Sequence, residues 1–170
     1  MIYALFYVKC YFIFKLNFLS LIDFVISLAR NLTIRKRNSM IMNLLIGGVL
    51  ALVCIGIICL LFPNKEIHVW SIGIVIAALI YVLFAVNKEA WNYLPMELVG
   101  VLFYSILAWL SIKYNTYWLA LAWGLHIGWD VLLHDPITTS YVPVGYPSAC
   151  IGFDIIIVCY VLWISRKKMV

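Results

Sequence analysis

The sequence predicts an all-α integral membrane protein, a multi-pass transmembrane bundle of about five helices. Of its residues, 66% are apolar and only 11% are charged, whereas soluble domains average roughly 45–50% apolar residues. Several apolar runs have about the 20 residues that a helix needs to cross the hydrocarbon core of a bilayer. The sequence also lacks the alternating segments of about ten residues that are typical of membrane β-barrels. The expected environment is therefore the lipid bilayer.

The order of the helices follows from hydropathy and helix-breaking residues. They are predicted at about residues 43–62, 69–86, 96–112, 117–134 and 151–165. The first four are joined by short connections, and one long connection, Asp135–Cys150, precedes the last. Residues 42–170 are therefore expected to form a single transmembrane domain.

Residues 1–41 have a different character from this domain. They are rich in aromatic and aliphatic side chains, but Lys9, Lys15 and Asp23 interrupt the apolar pattern, and no signal-peptide arrangement is visible. Two interpretations are open. The segment is an extension from a mis-assigned start, with the working protein beginning at Met40 or Met42, or it is a sixth membrane segment.

The distribution of charge indicates the orientation and the partners. Residues 1–41 hold six basic side chains and one acidic one and carry the whole net charge of +5, so the remainder is balanced and no nucleic-acid partner is expected. In the five-helix domain, most basic residues fall on the side of the Arg166–Lys168 tail, with only Lys88 opposite. The positive-inside rule then predicts a cell-membrane protein with a cytoplasmic carboxyl terminus. If residues 1–41 belong to the working protein, the basic residues between Arg30 and Arg37 fall on the same side as Lys88, and the charge bias disappears.

The most informative stretch lies in the fourth predicted helix. His126, Asp130 and His134 recur at intervals of four residues and therefore share one side of a helix. Ionisable groups are costly inside a membrane and usually mark a functional site. Because consecutive helices alternate in direction, Glu97 and Asp154 should lie at the same membrane face. The Asp135–Cys150 connection is expected to cover that face.

The opposite side of this helix carries Gly124 and Gly128. Their Gly-x-x-x-Gly spacing predicts close packing of a neighbouring helix. With one polar side and one closely packed side, the fourth helix is expected at the centre of the bundle.

These side chains suggest two kinds of chemistry. His126 and His134 lie about 12 Å apart along the helix axis, too far to share one ion easily. The predicted metal ligands are therefore Asp130 and His134 with Asp154 or Glu97 from a neighbouring helix, Asp154 being preferred. The predicted catalytic acid–base residues are Asp130, His134 and Glu97. His126 and Cys150 are expected just outside the ligands. The cofactor is unknown, with a divalent metal such as zinc as the candidate.

Structural explanations compete with this interpretation. Glu97 and Asp154 each lie in the first turn of a predicted helix, where the helix dipole favours a carboxylate by about 0.3–1 kcal/mol. No His-Glu-x-x-His or Gly-x-Ser-x-Gly motif identifies a reaction. Three functions remain open: an enzyme acting on a lipid or other apolar substrate, an ion- or proton-linked carrier that works as a homo-oligomer, and a structural membrane subunit.

One further pattern extends beyond the fourth helix. Its elements are the segment Leu125–Asp130 with His134, then Tyr141-Val-Pro143, Pro147, Cys150 and Asp154, and, earlier, Pro95-Met-Glu97. The pattern resembles an uncharacterised family of small integral membrane proteins, domain of unknown function 6010. The likeness covers about residues 43–165 and is strongest over 122–158. This chain departs from the pattern at Leu133-His134, where the family tends to carry adjacent histidines. The resemblance implies a multi-pass membrane protein and brings no known reaction.

Overall fold

The computed structural model describes residues 39–134 and 141–167 of the 170-residue chain. This part is helical, without strands, and confirms the predicted all-α fold. Its helices are α1 (Ser39–Leu61), α2 (Glu66–Asn87), α3 (Leu94–Lys113), α4 (Tyr117–Leu133) and α5 (Tyr146–Lys167). By internal contacts the chain divides into residues 1–42 and 43–170. The predictions for the amino-terminal segment fall almost entirely outside the described residues.

Four of these helices have the length and composition to cross a membrane. The candidate spans are Met40–Leu61, Glu66–Asn87, Leu94–Lys113 and Tyr146–Arg166, with 20 to 22 residues each. Large apolar side chains such as Leu50 and Leu83 are more than half exposed on them, as expected of surfaces that contact lipid. The remaining helix, α4, has only 17 residues.

The start of α5 differs from the sequence prediction. The helix begins at Tyr146 rather than near residue 151, with Pro147 as its second residue. Proline is well tolerated there because the first helical turn does not need its missing N–H. Gly145 precedes the helix with a φ of 90°, a backbone conformation that favours glycine. Cys150 therefore lies within α5 and not in a loop.

The centre of the bundle is built around α4, which packs against α2, α3 and α5. Its side chains Leu119 and Trp123 are buried together with Trp70, Ile74 and Ile157 from the neighbouring helices. This arrangement agrees with the central position expected for the fourth helix.

No described helix packs closely on the Gly124 and Gly128 pair, contrary to the prediction. Apart from the chain neighbours and the nearby backbone of α4 itself, no described atom lies within 4 Å of a Cβ placed at either position. Close approaches occur instead where α1 meets α5. A Cβ at Gly47 would collide with the Ala149 carbonyl, and one at Gly152 with the Leu44 carbonyl. These contacts hold the first turns of α5 firmly against α1.

Candidate functional site

Five ionisable side chains are buried together at one end of the bundle. The start of α3, the end of α4 and the start of α5 meet there, as the alternation of helix directions predicts. Each side chain's residue is at most 2% exposed. The structure thus brings together all the carboxylates and imidazoles that the sequence singled out as a site: Glu97, His126, Asp130, His134 and Asp154.

The first part of this cluster, here called the inner group, consists of His126, Asp130 and Asp154. His126 Nδ1 lies 2.8 Å from Asp154 Oδ2 on α5 and 3.8 Å from Asp130 Oδ2 on its own helix. One potential ligand atom from each of the three residues lies within 4.8 Å of the other two. The inner group is therefore compact enough for its members to share a proton or an ion.

The second part, here called the outer group, consists of Glu97, His134 and Tyr141. His134 Nε2 lies 2.9 Å from Glu97 Oε1. The Tyr141 hydroxyl donates to the same carboxylate oxygen at 2.5 Å and lies 3.3 Å from His134 Nε2. Burial and the hydrogen bond to Glu97 raise the pKa of Tyr141 above its usual range, so its hydroxyl remains a proton donor.

Asp130 and Tyr81 connect the two groups. The Tyr81 hydroxyl donates to Asp130 Oδ1 at 2.6 Å, and the same oxygen lies 4.0 Å from His134 Nδ1. The Tyr81 ring also stacks on the His134 imidazole, with 3.9 Å between centroids and 18° between planes. Tyr81 on α2 therefore fixes the positions of both Asp130 and His134.

Three atoms of the cluster are buried without a hydrogen bond from the residues described. They are His126 Nε2, Asp130 Oδ2 and His134 Nδ1. Buried polar atoms in native proteins almost always have a partner, so each such atom calls for an explanation. All three lie on α4 or directly after its end, and they leave both groups able to bind a further ligand.

The grouping of the histidines differs from the predicted one. The predicted metal ligands were Asp130, His134 and Asp154, with His126 outside them, but the structure places His126 beside the two aspartates. His134 follows the last residue of α4 and turns its ring towards Glu97 on α3. The two histidines therefore contact different neighbouring helices, although both lie on the same side of α4.

The covering connection is described in its second half only. Asp135 and the rest of residues 135–140 lie outside the described residues. Tyr141 and Val142 are buried, and Tyr141 joins the site through Glu97. Cys150, expected near the ligands, is half-buried on α5, one helical turn before Asp154. It therefore lies beside the cluster and outside the inner group.

Sequence reasoning did not identify Tyr81 or Tyr141 as site residues. The end of α2 points to the same face as the start of α3, so the alternation of helices could have located Tyr81. Tyrosine is common in this chain, with 11 residues, and no spacing distinguishes Tyr81 from the others. Tyr141 belongs to the pattern that carries the family resemblance, but its chemistry was not assigned.

Comparisons with protein-family models, with curated proteins and with solved structures found no match. The resemblance to an uncharacterised membrane family accordingly stays a prediction. The chemistry of the buried cluster is the basis for inferring what the protein does.

Proposed function

We propose that the protein is a membrane-embedded enzyme that applies acid–base chemistry to a lipid or another apolar substrate. The observation that supports this best is the outer group, in which a buried carboxylate orients a buried imidazole. Histidine is the commonest general acid and base because its pKa lies near physiological pH. A carboxylate held against one ring nitrogen leaves the other nitrogen free to accept a proton.

The positions of the side chains support a role for each. Glu97 and Tyr141 hold His134 through Nε2, while His134 Nδ1 has no hydrogen-bond partner among the described residues. His134 Nδ1 takes a proton from water as the water oxygen attacks an electrophilic centre such as an ester carbonyl. The imidazolium then returns that proton to the leaving group. Asp130, 4.0 Å from Nδ1, stabilises the positive charge between these steps.

The surroundings of the cluster favour an apolar substrate. Leu98 follows Glu97 directly, and Val131 and Leu132 lie between Asp130 and His134. These three side chains are 50%, 57% and 80% exposed, and in a bilayer such surfaces face lipid. A substrate dissolved in the membrane would therefore meet the protein next to the site.

The distribution of basic residues supports an orientation in which the site lies away from the cytoplasm. The site end of the bundle contains the α2–α3 connection with Lys88, whereas Lys65, Lys113 and Arg166 lie at the opposite end. By the positive-inside rule, the opposite end and the carboxyl terminus face the cytoplasm of a cell-membrane protein. Reporter fusions after residue 170 and within the Lys88 connection test this assignment.

Activity of two variants tests the proposed enzyme. The full-length protein is purified in detergent and incubated with a panel of lipid esters. We expect His134→Ala and Asp130→Asn each to lower turnover by about 10²–10⁴-fold, the usual contribution of general acid–base catalysis. His68→Ala is the control because His68 is exposed at the start of α2, and it should retain full turnover. Full activity in both site variants refutes the proposal.

A second candidate is an ion- or proton-linked carrier, and the burial of the cluster favours it. The five acidic and imidazole residues are at most 2% exposed, and hydrogen-bonded or close carboxylate–imidazole pairs form proton relays in membrane proteins. A chain this small would work as a homo-oligomer. Proton- or cation-coupled uptake into vesicles, without turnover in detergent, would support the carrier over the enzyme.

A further inference from the structure

We infer that the inner group binds one divalent transition-metal ion, with His126, Asp130 and Asp154 as the protein ligands. This set differs from the one that the sequence predicts, because His126 replaces His134. The inference goes beyond the proposed acid–base reaction and does not depend on it. A carrier or a structural subunit with the same inner group would bind the same ion.

The distances within the inner group suit a small cation. Zinc binds imidazole nitrogen and carboxylate oxygen at about 2.0–2.2 Å, which sets tetrahedral ligand atoms roughly 3.3–3.6 Å apart. The separations from His126 Nδ1 are 2.8 Å to Asp154 Oδ2 and 3.8 Å to Asp130 Oδ2, on either side of this range. One potential ligand atom from each of the three residues lies within 4.8 Å of the other two, so modest side-chain shifts would bring them around one ion. A three-ligand site also keeps a coordination position open for water or substrate.

The balance of charge favours a cation in the inner group over the outer group. The outer group has one carboxylate for one imidazole, whereas the inner group has two carboxylates for one imidazole. The ion pairs of the cluster are made with histidine, and the described lysine and arginine side chains, Lys65, Lys88, Lys113 and Arg166, are exposed. A divalent ion with a neutral His126 would cancel both aspartate charges, and burial makes such cancellation necessary.

An unpartnered atom points to the same place. Asp130 Oδ2, 3.8 Å from His126 Nδ1, is buried and makes no hydrogen bond with described residues. Tyr81 already donates to Asp130 Oδ1, so it orients the carboxylate and leaves Oδ2 turned towards His126. Neighbouring groups that hydrogen-bond to a ligating side chain are typical of metal sites, where they fix the geometry of the ligating side chains.

The donor atoms define the class of metal. One imidazole nitrogen with two carboxylate oxygens suits Zn²⁺ or Mn²⁺, since imidazole favours first-row transition ions. Calcium and magnesium prefer shells of oxygen atoms alone. Cys150 is not among the three ligands, so the site should not select the soft Cu⁺ ion. We therefore expect zinc to bind and magnesium not to compete.

Metal content of matched histidine variants tests the assignment. The full-length protein without a histidine tag is loaded with Zn²⁺ in detergent, freed of excess ion by gel filtration and analysed for zinc per chain. The wild type should retain about one zinc per chain, as a site with three protein ligands predicts. His126→Gln should lose most of it, and His134→Gln should retain it. Equal retention in both variants, or greater loss in His134→Gln, overturns the assignment.

A second matched pair exchanges a carboxylate for an amide in each group. Asp154 and Glu97 are equally buried and each lies within 2.9 Å of an imidazole nitrogen. Asp154→Asn should lower zinc retention at least tenfold, whereas Glu97→Gln should leave it at the wild-type level. Similar zinc content in these two variants contradicts the inner group as the ligand set.

A measurement on the wild-type protein keeps the inference testable if variants fail to fold. Bound Co²⁺ in a site of low coordination number has visible d–d absorption, which Zn²⁺ should abolish and Mg²⁺ should not. Absence of this absorption, together with absence of retained zinc, refutes the metal site. Neither readout involves turnover, so full turnover in His134→Ala and Asp130→Asn would refute the proposed enzyme, while zinc and Co²⁺ binding alone would decide the metal site.

Discussion

The two ends of the helical bundle bury polar side chains in different ways. At the end opposite the site, Ser71, Ser111 and Ser165 each donate to a carbonyl three or four residues earlier in the same helix, at 2.7 Å. At the site end, the carboxylate of Glu97 contacts His134, and that of Asp154 contacts His126, across different helices. A serine–carbonyl bond can form within any single helix, whereas a carboxylate–imidazole contact forms only when two particular helices pack together.

This difference shows which buried polar side chains indicate a functional site. A serine hydroxyl inside a membrane helix can always reach its own backbone, so its burial says little about function. A carboxylate cannot be satisfied in this way, and an unpaired buried charge is expensive. Even Glu66, which accepts from Tyr160 at the opposite end, is only half-buried. The site end alone, within the described residues, combines full burial with ionisable groups.

The largest expected effect comes from breaking one pair at the site end. Asp154→Leu removes the carboxylate that is hydrogen-bonded to His126, leaving Asp130 at 3.8 Å. It should lower the free energy of unfolding by about 3–5 kcal/mol, the usual result of removing one partner of a buried pair. The double variant His126→Leu with Asp154→Leu removes both groups and should regain most of that loss. Reversible unfolding in mixed micelles with a chelator measures both. A double variant less stable than the single one would contradict this interpretation.

A smaller effect is expected from the glycine contacts that hold α5 at the site end. In Gly152→Ala the new methyl group meets the Leu44 carbonyl, and such overpacking costs about 1–3 kcal/mol. Gly128→Ala is the matched control because its surroundings are open, and it should gain up to about 1 kcal/mol of helix propensity. Unfolding measurements should therefore give opposite signs. Equal effects would show that the α1–α5 contact does not position the site.

A change of about 1 kcal/mol is expected for Tyr141→Phe, which removes one hydrogen bond to Glu97 and leaves the other. The raised pKa of Tyr141 means that the wild-type hydroxyl donates throughout the neutral pH range. Tyr93→Phe is the control, since Tyr93 packs on Tyr141 with centroids 4.8 Å apart but is 37% exposed. Thermal unfolding of both variants measures the difference, and equal stability would place Tyr141 outside the network.

The smallest effect is expected at the opposite end. Ser111→Ala removes a hydroxyl that donates to Ala108 and lies 2.8 Å from the Ser71 hydroxyl. Ser71 still has its own partner in Ile67, so the free energy of unfolding should change by no more than about 0.5–1 kcal/mol. A loss as large as that of Asp154→Leu would mean that the two ends do not differ energetically.

The helices could be predicted from sequence because apolar runs and breakers mark them directly. Pro147 shows the limit of this approach, since a proline inside the first helical turn has the same sequence signal as a proline in a loop. The glycines show another limit. The spacing of Gly124 and Gly128 identifies a smooth face of α4, but it does not say whether a neighbouring helix occupies that face.

The residues that form the site could be predicted from sequence, but the pairing of each imidazole with its carboxylate could not. Intervals of four residues place His126, Asp130 and His134 on one side of α4, and helix alternation brings the other carboxylates to the same end. Which imidazole meets which carboxylate depends on the rotation and tilt of α4 against its neighbours. These are set by packing contacts such as the Trp129 ring on Gly100, which no local spacing encodes.

The shortness of α4 has a consequence for the surrounding lipid. Its 17 residues span about 25 Å, less than the roughly 30 Å of an average hydrocarbon core. A bilayer that meets this part of the surface must become locally thinner or expose the end of the helix to its acyl chains. The protein should therefore partition into thin membranes, and the acyl-chain length of the host lipids should tune the water content around His134.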